Sequence, residues 1–302
     1  MGHYKGHLLA LFTVAIWGST FICTKVLLED FQPAEILFYR FIMGFAALWI
    51  AFPKRLKKIG CKKELILAMA GLSGVCLYYL LENIALTYTM ASNIGVIISV
   101  APFFTAVLVS FFEKEEKLQS YFFVGFVIAM TGIFLIHFNG SRLKLNPLGD
   151  LLAFLAAFVW ACYSLLAKKI SSWNVPILLT TRRVFFYGLI FMVPAFIRSG
   201  SRFFPVQLVK PVNLWNIAYL GLGASALCFV TWNMAVKELG AVKASLYIYM
   251  TPVVTVLASV WFLHEKITLL AGIGTVFTLT GLFLSEKKQI QKRSIKENEF
   301  AK

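Results

Sequence analysis

Residues 6–40, GHLLALFTVAIWGSTFICTKVLLEDFQPAEILFYR, align without a gap on residues 149–183, GDLLAFLAAFVWACYSLLAKKISSWNVPILLTTRR. Trp17, Lys25, Pro33 and Arg40 fall on Trp160, Lys168, Pro176 and Arg183, and Gly6, Leu8, Leu9 and Ala10 fall on Gly149, Leu151, Leu152 and Ala153. Eight identities in 35 positions exceed chance, and an internal repeat decides architecture before any motif does. Farther along, at a shift of 150, Asn83, Ala85, Ala91, Ile98, Pro102, Thr105, Phe112 and Glu115 match Asn233, Ala235, Ala241, Ile248, Pro252, Thr255, Phe262 and Glu265. The longer joint from Arg198 to Val212 absorbs the change in shift.

The repeat is written in apolar residues. Of 302 residues 59% are hydrophobic and 14% charged, with a mean hydropathy of +0.78, whereas soluble domains run near 45–50% apolar. That excludes an ordinary soluble enzyme. A membrane-crossing helix needs roughly 20 predominantly apolar residues, and ten such stretches lie near 7–28, 34–52, 64–86, 91–112, 119–138, 147–169, 176–197, 213–236, 241–262 and 267–285. The apolar run of the first is too long for a cleavable signal peptide, so it is kept as a span. Five spans per repeat force the second half to enter the membrane from the opposite side. The predicted fold is an all-α integral membrane protein of ten transmembrane helices in two inverted five-helix repeats, 6–138 and 147–285, followed by a basic tail, 286–302.

Charge gives the orientation. The 29 Lys+Arg against 14 Asp+Glu leave +15; 19 of these basic residues fall on one side of the predicted spans, six on the other and four within them. Cytoplasmic loops hold the basic excess, so both termini are placed in the cytoplasm and the chain in the cytoplasmic membrane. The net charge then reads as topology, not nucleic-acid affinity. The tail reads as a solvated, partly disordered extension lying on anionic lipid.

Inverted repeats are a mark of secondary transporters, whose substrate sites lie near the midplane where the halves meet. Ionisable side chains in a span are functional candidates by default. Glu82 is the sharpest: it lies about five residues, roughly 7 Å at 1.5 Å per residue, from one end of span three and shares a helical face with Gly71, Val75, Tyr78 and Ala85. It can bind a proton or a cation, or form a structural ion pair with Arg40; Arg183, the repeat counterpart of Arg40, has no obvious acid at its depth. Arg183 can hold a substrate carboxylate or a lipid phosphate, or snorkel to the interface beside Arg182. Trp17 and Trp160 sit at mid-span, away from the interfaces where tryptophan collects. With Tyr78, Tyr79, Tyr163, Trp232, Tyr247 and Tyr249 they can form an aromatic box for an ammonium group or an aromatic side chain, or simply pack. Asn83 and Asn233 would leave costly unpaired amides in lipid and either bond between helices or touch substrate. Pro102 and Pro252 remove backbone donors in mid-span, so they are candidate hinges, with Ser99 beside the first as a ligand-binding hydroxyl. Gly71, Gly74, Gly125, Gly132, Gly221 and Gly223 fit close helix contacts.

Enzyme readings fail on residues. Gly221-Leu222-Gly223-Ala224-Ser225-Ala226 matches a dinucleotide pattern but lies inside a span with no preceding strand. Ser225 has no histidine at its depth, and five scattered cysteines, read as free thiols, offer neither a disulfide framework nor a metal site. No cofactor and no metal are expected. The expected partners are a small-molecule substrate, the bilayer, and protons or another coupling ion. A translocator of lipid-like or sugar-linked substrates and, farther off, a nonenzymatic scaffold or channel remain as alternatives.

The run Ala15-Ile16-Trp17-Gly18-Ser19-Thr20-Phe21, the Tyr39-Arg40-Phe41 of span two, and Thr89-Met90-Ala91-Ser92-Asn93 leading to Ala101-Pro102-Phe103-Phe104-Thr105-Ala106 and Glu113 to Glu116 resemble the drug/metabolite transporter superfamily, in the group with two EamA-type domains. The resemblance covers residues 6 to 285. It implies ten helices, cytoplasmic termini and alternating-access transport of small metabolites, amino acids, quaternary amines or drugs. Glu82 departs from it, standing where an uncharged residue is more usual.

Overall fold

The computed structural model describes residues 2–54, 56, 59–89, 91–112, 120–137, 146–200, 206–254 and 269–300, and among them there is no strand. The helices are α1 (Gly2–Leu27), α2 (Pro33–Ala51), α3 (Cys61–Tyr88), α4 (Ala91–Ile98 continued by Ala101–Phe112), α5 (Ser120–His137), α6 (Pro147–Ser171), α7 (Ile177–Arg198), α8 (Pro211–Leu239), α9 (Ala241–Val254) and α10 (Leu269–Phe300). Seven of these segments are long and apolar enough to cross a membrane, and Ser120–Ile136, Ala241–Val254 and Gly272–Ser285 are shorter apolar helices within α5, α9 and α10. Leu8, Ile50, Phe111 and Ile197 are among the many large apolar side chains that point outward, as a lipid-facing surface requires.

Local chemistry sets the helix starts. Pro33, Pro147 and Pro211 each stand in the first turn of a helix, where the missing N–H costs nothing. The Asn146 side chain accepts from the Gly149 N–H at 3.1 Å, and Asp150 Oδ2 accepts from the Asn146 N–H at 3.1 Å.

Two irregularities interrupt the helices, and each occurs once per repeat. A π-helical stretch lies inside α3 at Leu72–Leu77 and inside α8 at Tyr219–Leu227; the first maps into the second at the shift of 150. The other follows proline. Without an N–H, Pro102 and Pro252 offer no donor to the carbonyls four residues back, those of Ile98 and Ile248. Accordingly α4 breaks into a turn at Ser99 and Val100, and α9 tightens into a 3₁₀ turn at Tyr247–Tyr249.

Small residues bring the helices together where lipid supplies no hydrophobic drive. Gly125 and Gly132 of α5 lie against Gly281 and Gly274 of α10; a Cβ on Gly132 would come within 2.5 Å of the Gly274 carbonyl oxygen. Gly71 meets the Val184 carbonyl of α7, Gly221 the Arg40 carbonyl of α2, and Gly74 the Tyr163 ring. Gly223 differs from expectation, since a Cβ there would meet nothing nearer than 3.8 Å. The tail also differs: α10 runs on to Phe300. Its Glu, Lys, Gln and Arg residues are good helix formers, with no Gly or Pro to stop them. The Glu113 to Glu116 run, Thr255, Phe262 and Glu265 lie outside the described residues.

Candidate functional site

The two proline breaks border one cavity. Its volume is about 30 Å³, and it is lined from the first half by Trp17, Thr20, Phe21, Tyr78, Tyr79, Glu82, Gly95, Ile98 and Ser99, and from the second by Trp160, Ile248 and Thr251. Ile98 and Ile248 are the residues whose carbonyls lose a donor to proline. The Ser99 hydroxyl turns back to the Gly95 carbonyl at 2.7 Å, closing the broken end of the first segment of α4.

Glu82 is the one carboxylic acid on this lining and is 2% exposed. The direct ion pair with Arg40 weighed from sequence is not formed: no Lys or Arg nitrogen of the described residues lies within 4.0 Å of the Glu82 carboxylate. Arg40, fully buried, donates from Nε to Ser225 Oγ of α8 at 3.0 Å and lays its guanidinium 4.3 Å from the Tyr79 ring centre. Its two terminal nitrogens have no hydrogen-bond partner among the described residues. An acid and a cation thus stand on the α2–α3 side of the bundle, and Tyr79 lies against the cation.

Of the aromatic residues named from sequence, Trp17, Tyr78, Tyr79 and Trp160 line the cavity, and the rest pack around them or lie apart. Trp160 is the centre of the cluster, with ring centres at 4.8 Å to Tyr78, 5.1 Å to Trp17, 5.1 Å to Tyr163 and 5.9 Å to Trp232. Trp232 is fully buried and packs on Trp17 at 5.1 Å without reaching the cavity. Tyr247 lies instead 5.8 Å from the ring of His7, and Tyr249 is buried with no partner for its hydroxyl among the described residues, both off the lining. Sequence reasoning passed over Phe229, whose ring touches those of Phe41, Tyr79, Trp160, Tyr163 and Phe185; at the shift of 150 it is the aromatic counterpart of Tyr79, a signal the repeat did offer.

The paired tryptophans are not equivalent. Trp17 Nε1 donates to the Ala224 carbonyl at 3.0 Å, inside the π-helical stretch of α8. The corresponding stretch of α3 offers Trp160 no such acceptor, and the buried Trp160 N–H has no hydrogen-bond partner among the described residues. The asparagines, by contrast, are tied between helices. Asn83 donates to the Pro33 carbonyl at 3.1 Å, while Asn233 donates to Thr181 Oγ1 at 3.1 Å and accepts from the Tyr163 hydroxyl at 2.9 Å. Tyr163 and Asn233 border a second, smaller void of about 10 Å³ with Ser171, Ile177 and Thr180. The Trp160–Tyr163 ring pair therefore separates the larger cavity from this one.

At the ends of the bundle the polar contacts are ion pairs and hydrogen bonds between neighbouring elements. Arg183 pairs with Glu64 of α3 at 3.4 Å, the acid that sequence reading did not find, because only folding brings the start of α3 beside the start of α7. Lys25 donates to the Leu86 carbonyl near the end of α3 at 2.7 Å. Between the joints, Lys210 and Asn213 bond Asp30 at 2.8 Å and 2.7 Å, and together they hold its carboxyl below the usual carboxylate range.

Residues 4–138 and 147–286 each match the EamA-like transporter family. The chain is 30% identical over 294 residues to an uncharacterized transporter of Archaeoglobus fulgidus, covering 95% of this chain and 99% of that one. It is 27% identical to the uncharacterized transporter YyaM of Bacillus subtilis, over 93% of each chain, and 24% identical to a probable amino-acid metabolite efflux pump of Escherichia coli, over 93% and 94%. A crystal structure 18% identical in sequence superposes with a TM-score of 0.72 over 93% of this chain and 97% of that one, a likeness of fold. The chain belongs to the EamA-like transporter family, and with its many apolar helices it is a multi-pass membrane protein.

Proposed function

We propose that this EamA-family chain is a secondary transporter that moves an amine-bearing small metabolite across the cytoplasmic membrane by alternating access. In this reading ten spans form two inverted five-helix repeats, 6–138 and 147–285, with both termini cytoplasmic. The observation that carries it is Glu82: a carboxyl 2% exposed, on the wall of a cavity drawn from both halves and bordered by both proline-broken helices. A carboxyl kept from water is tolerated when it holds a proton or when a cation compensates it. Everything else on the lining suits a cation as well. The aromatic faces of Trp17, Tyr78, Tyr79 and Trp160 attract an ammonium through their quadrupoles, and carbonyls at broken helices are a recurrent ligand set in transporters.

The relative in Escherichia coli named a probable amino-acid metabolite efflux pump points toward amino-acid-like solutes. For such a zwitterion Glu82 would meet the ammonium and the free Trp160 N–H would meet the carboxylate. The Trp160–Tyr163 pair would then be the closed gate toward the smaller void, and Pro102 and Pro252 the hinges that move with it. Arg40, held by Ser225 and Tyr79, would keep a compensating positive charge near Glu82.

The test is accumulation in proteoliposomes. With radiolabelled amino acids and amines supplied under a pH gradient, the unmodified protein should concentrate a solute. Glu82→Gln keeps the shape and removes the charge; it should abolish accumulation while leaving some downhill exchange. Accumulation by Glu82→Gln at the parent's level would refute the role given to Glu82.

A further inference from the structure

A larger cavity lies between α2 and α7 and shares no lining residue with the one assigned to substrate. Its volume is about 220 Å³, and Phe45, Trp49, Leu56, Arg182, Arg183 and Phe186 line it. Its position is the end of the bundle that carries the lysine-rich joint from Pro53 to Lys63.

The two arginines are arranged as parts of a site. Arg182 is 5% exposed, donates to the carbonyls of Phe52, at 2.6 Å, and of Lys54, and sets its guanidinium 4.3 Å from the Trp49 ring centre. The backbone at the end of α2 thus fixes its orientation without neutralising its charge. Arg183 is shared between Glu64 at 3.4 Å and the Phe186 ring at 6.0 Å. The same Glu64 accepts from the Tyr187 hydroxyl at 2.7 Å. Arg183 Nε is buried with no hydrogen-bond partner among the described residues. Of the two guanidinium cations on this lining, Arg183 meets a carboxylate and Arg182 only backbone carbonyls among the described residues, and the Arg183 Nε donor is left unused.

An unmatched positive charge and a spare N–H ask for an anion, and guanidinium forks suit phosphate. The walls say which kind. Trp49 and Phe186 are 40% and 41% exposed, and Ile50 and Ile190 beside them are more so, so the cavity opens along the apolar exterior of a membrane protein. We propose that this cavity binds the phosphate head group of an anionic phospholipid, with an acyl chain laid along Phe45, Trp49 and Phe186. Basic pockets between membrane helices on the cytoplasmic side take anionic head groups for the same reasons. The inference rests on membrane embedding and not on the substrate assigned to the other cavity, so failure of either leaves the other standing.

The experiment compares phosphatidylglycerol with phosphatidylcholine on the full chain. In native mass spectrometry from detergent, phosphatidylglycerol should be retained at least fivefold over phosphatidylcholine, and Arg183→Gln should erase that preference. Should Arg183→Gln fail to fold, the unmodified protein supplies the same information. In nanodiscs, the emission assigned to Trp49 by difference against Trp49→Phe should be quenched by bromine-labelled phosphatidylglycerol at a severalfold lower mole fraction than by the bromine-labelled phosphatidylcholine. Equal retention or quenching by the two lipids, or retention unchanged in a folded Arg183→Gln, overturns the proposal. Millimolar inorganic phosphate displacing the lipid fully would show a site for free phosphate, and would overturn it as well.

Discussion

Deleting the Ser225 hydroxyl tests how a fully buried cation is held between the two halves. Arg40 is inaccessible, its Nε–H is bonded to Ser225 Oγ at 3.0 Å, its terminal nitrogens have no hydrogen-bond partner among the described residues, and Tyr79 supplies a ring face at 4.3 Å. Ser225→Ala removes one atom, so the cavity it leaves costs only a few tenths of a kcal/mol at ~24 cal/mol per Å³. A hydrogen bond to a charged group contributes about 1.5–3 kcal/mol. The hydrogen bond therefore decides the outcome, and Ser225→Ala should lower stability by about 2 kcal/mol. The control is Arg40→Met, which keeps an apolar stem of similar length and removes the charge. In that background the Ser225 hydroxyl has no cation to serve, and Ser225→Ala should cost less than about 0.5 kcal/mol. Thermal unfolding in detergent, followed by a thiol-reactive dye that reports exposure of the buried Cys76 and Cys228, gives all four corners of the cycle. Equal costs of Ser225→Ala in the two backgrounds would refute the reasoning and leave the Tyr79 face as the main hold on Arg40.

Two further outcomes follow from named contacts. Packing alone ranks Trp160→Phe as the more damaging of the two tryptophan replacements, because Trp160 is the more buried; the hydrogen bonds reverse that order. Trp17→Phe orphans the Ala224 carbonyl and should cost roughly 1–3 kcal/mol, whereas Trp160→Phe removes an unpartnered N–H and should chiefly weaken substrate binding, as thermal shifts with and without ligand would show. At the joints, the depressed Asp30 carboxyl stabilises the fold above its unfolded value and loses that contribution as pH falls through its lower folded value. The stability difference between the parent and Asp30→Asn should therefore begin to shrink as pH falls below about 4 and vanish only below the lowered folded value, and a difference that does not shrink at all between about pH 6 and pH 3 would contradict the Lys210–Asn213 clamp.

What the sequence made legible is what the repeat carries twice. The prolines at 102 and 252 told where α4 and α9 break, because a missing N–H acts on its own helix and needs no partner. The glycines at 71, 125 and 132 told where helices touch, since a bare backbone in a span has few other uses. Charge partners were another matter. Glu64 stands 119 residues from Arg183, at the first turn of α3, and the pattern that reveals an acid on the same helix is silent about one on a neighbour. The substrate wall shows the same limit: Thr20 and Thr251 line it, yet any threonine in a span can satisfy itself by bonding its own preceding turn, so a threonine alone does not point to a ligand.

The repeat is symmetric in its scaffold and asymmetric in its chemistry. Proline breaks, π-helical stretches and glycine contacts occur in both halves, whereas Glu82 is opposed by Trp232, the buried Arg40 by an Arg183 paired with Glu64, and the bonded Trp17 by the unbonded Trp160. In the proposed cycle this division has a physical use. A scaffold repeated in opposite orientations offers two conformations of similar energy, related by exchanging the parts played by its halves, so that a modest differential affinity can move the population between them. Two copies of the charged chemistry would create two substrate sites and put a second carboxyl in low-dielectric surroundings. One copy gives a single site that both conformations share, and leaves the symmetric prolines and glycines to decide which side of the membrane it opens to.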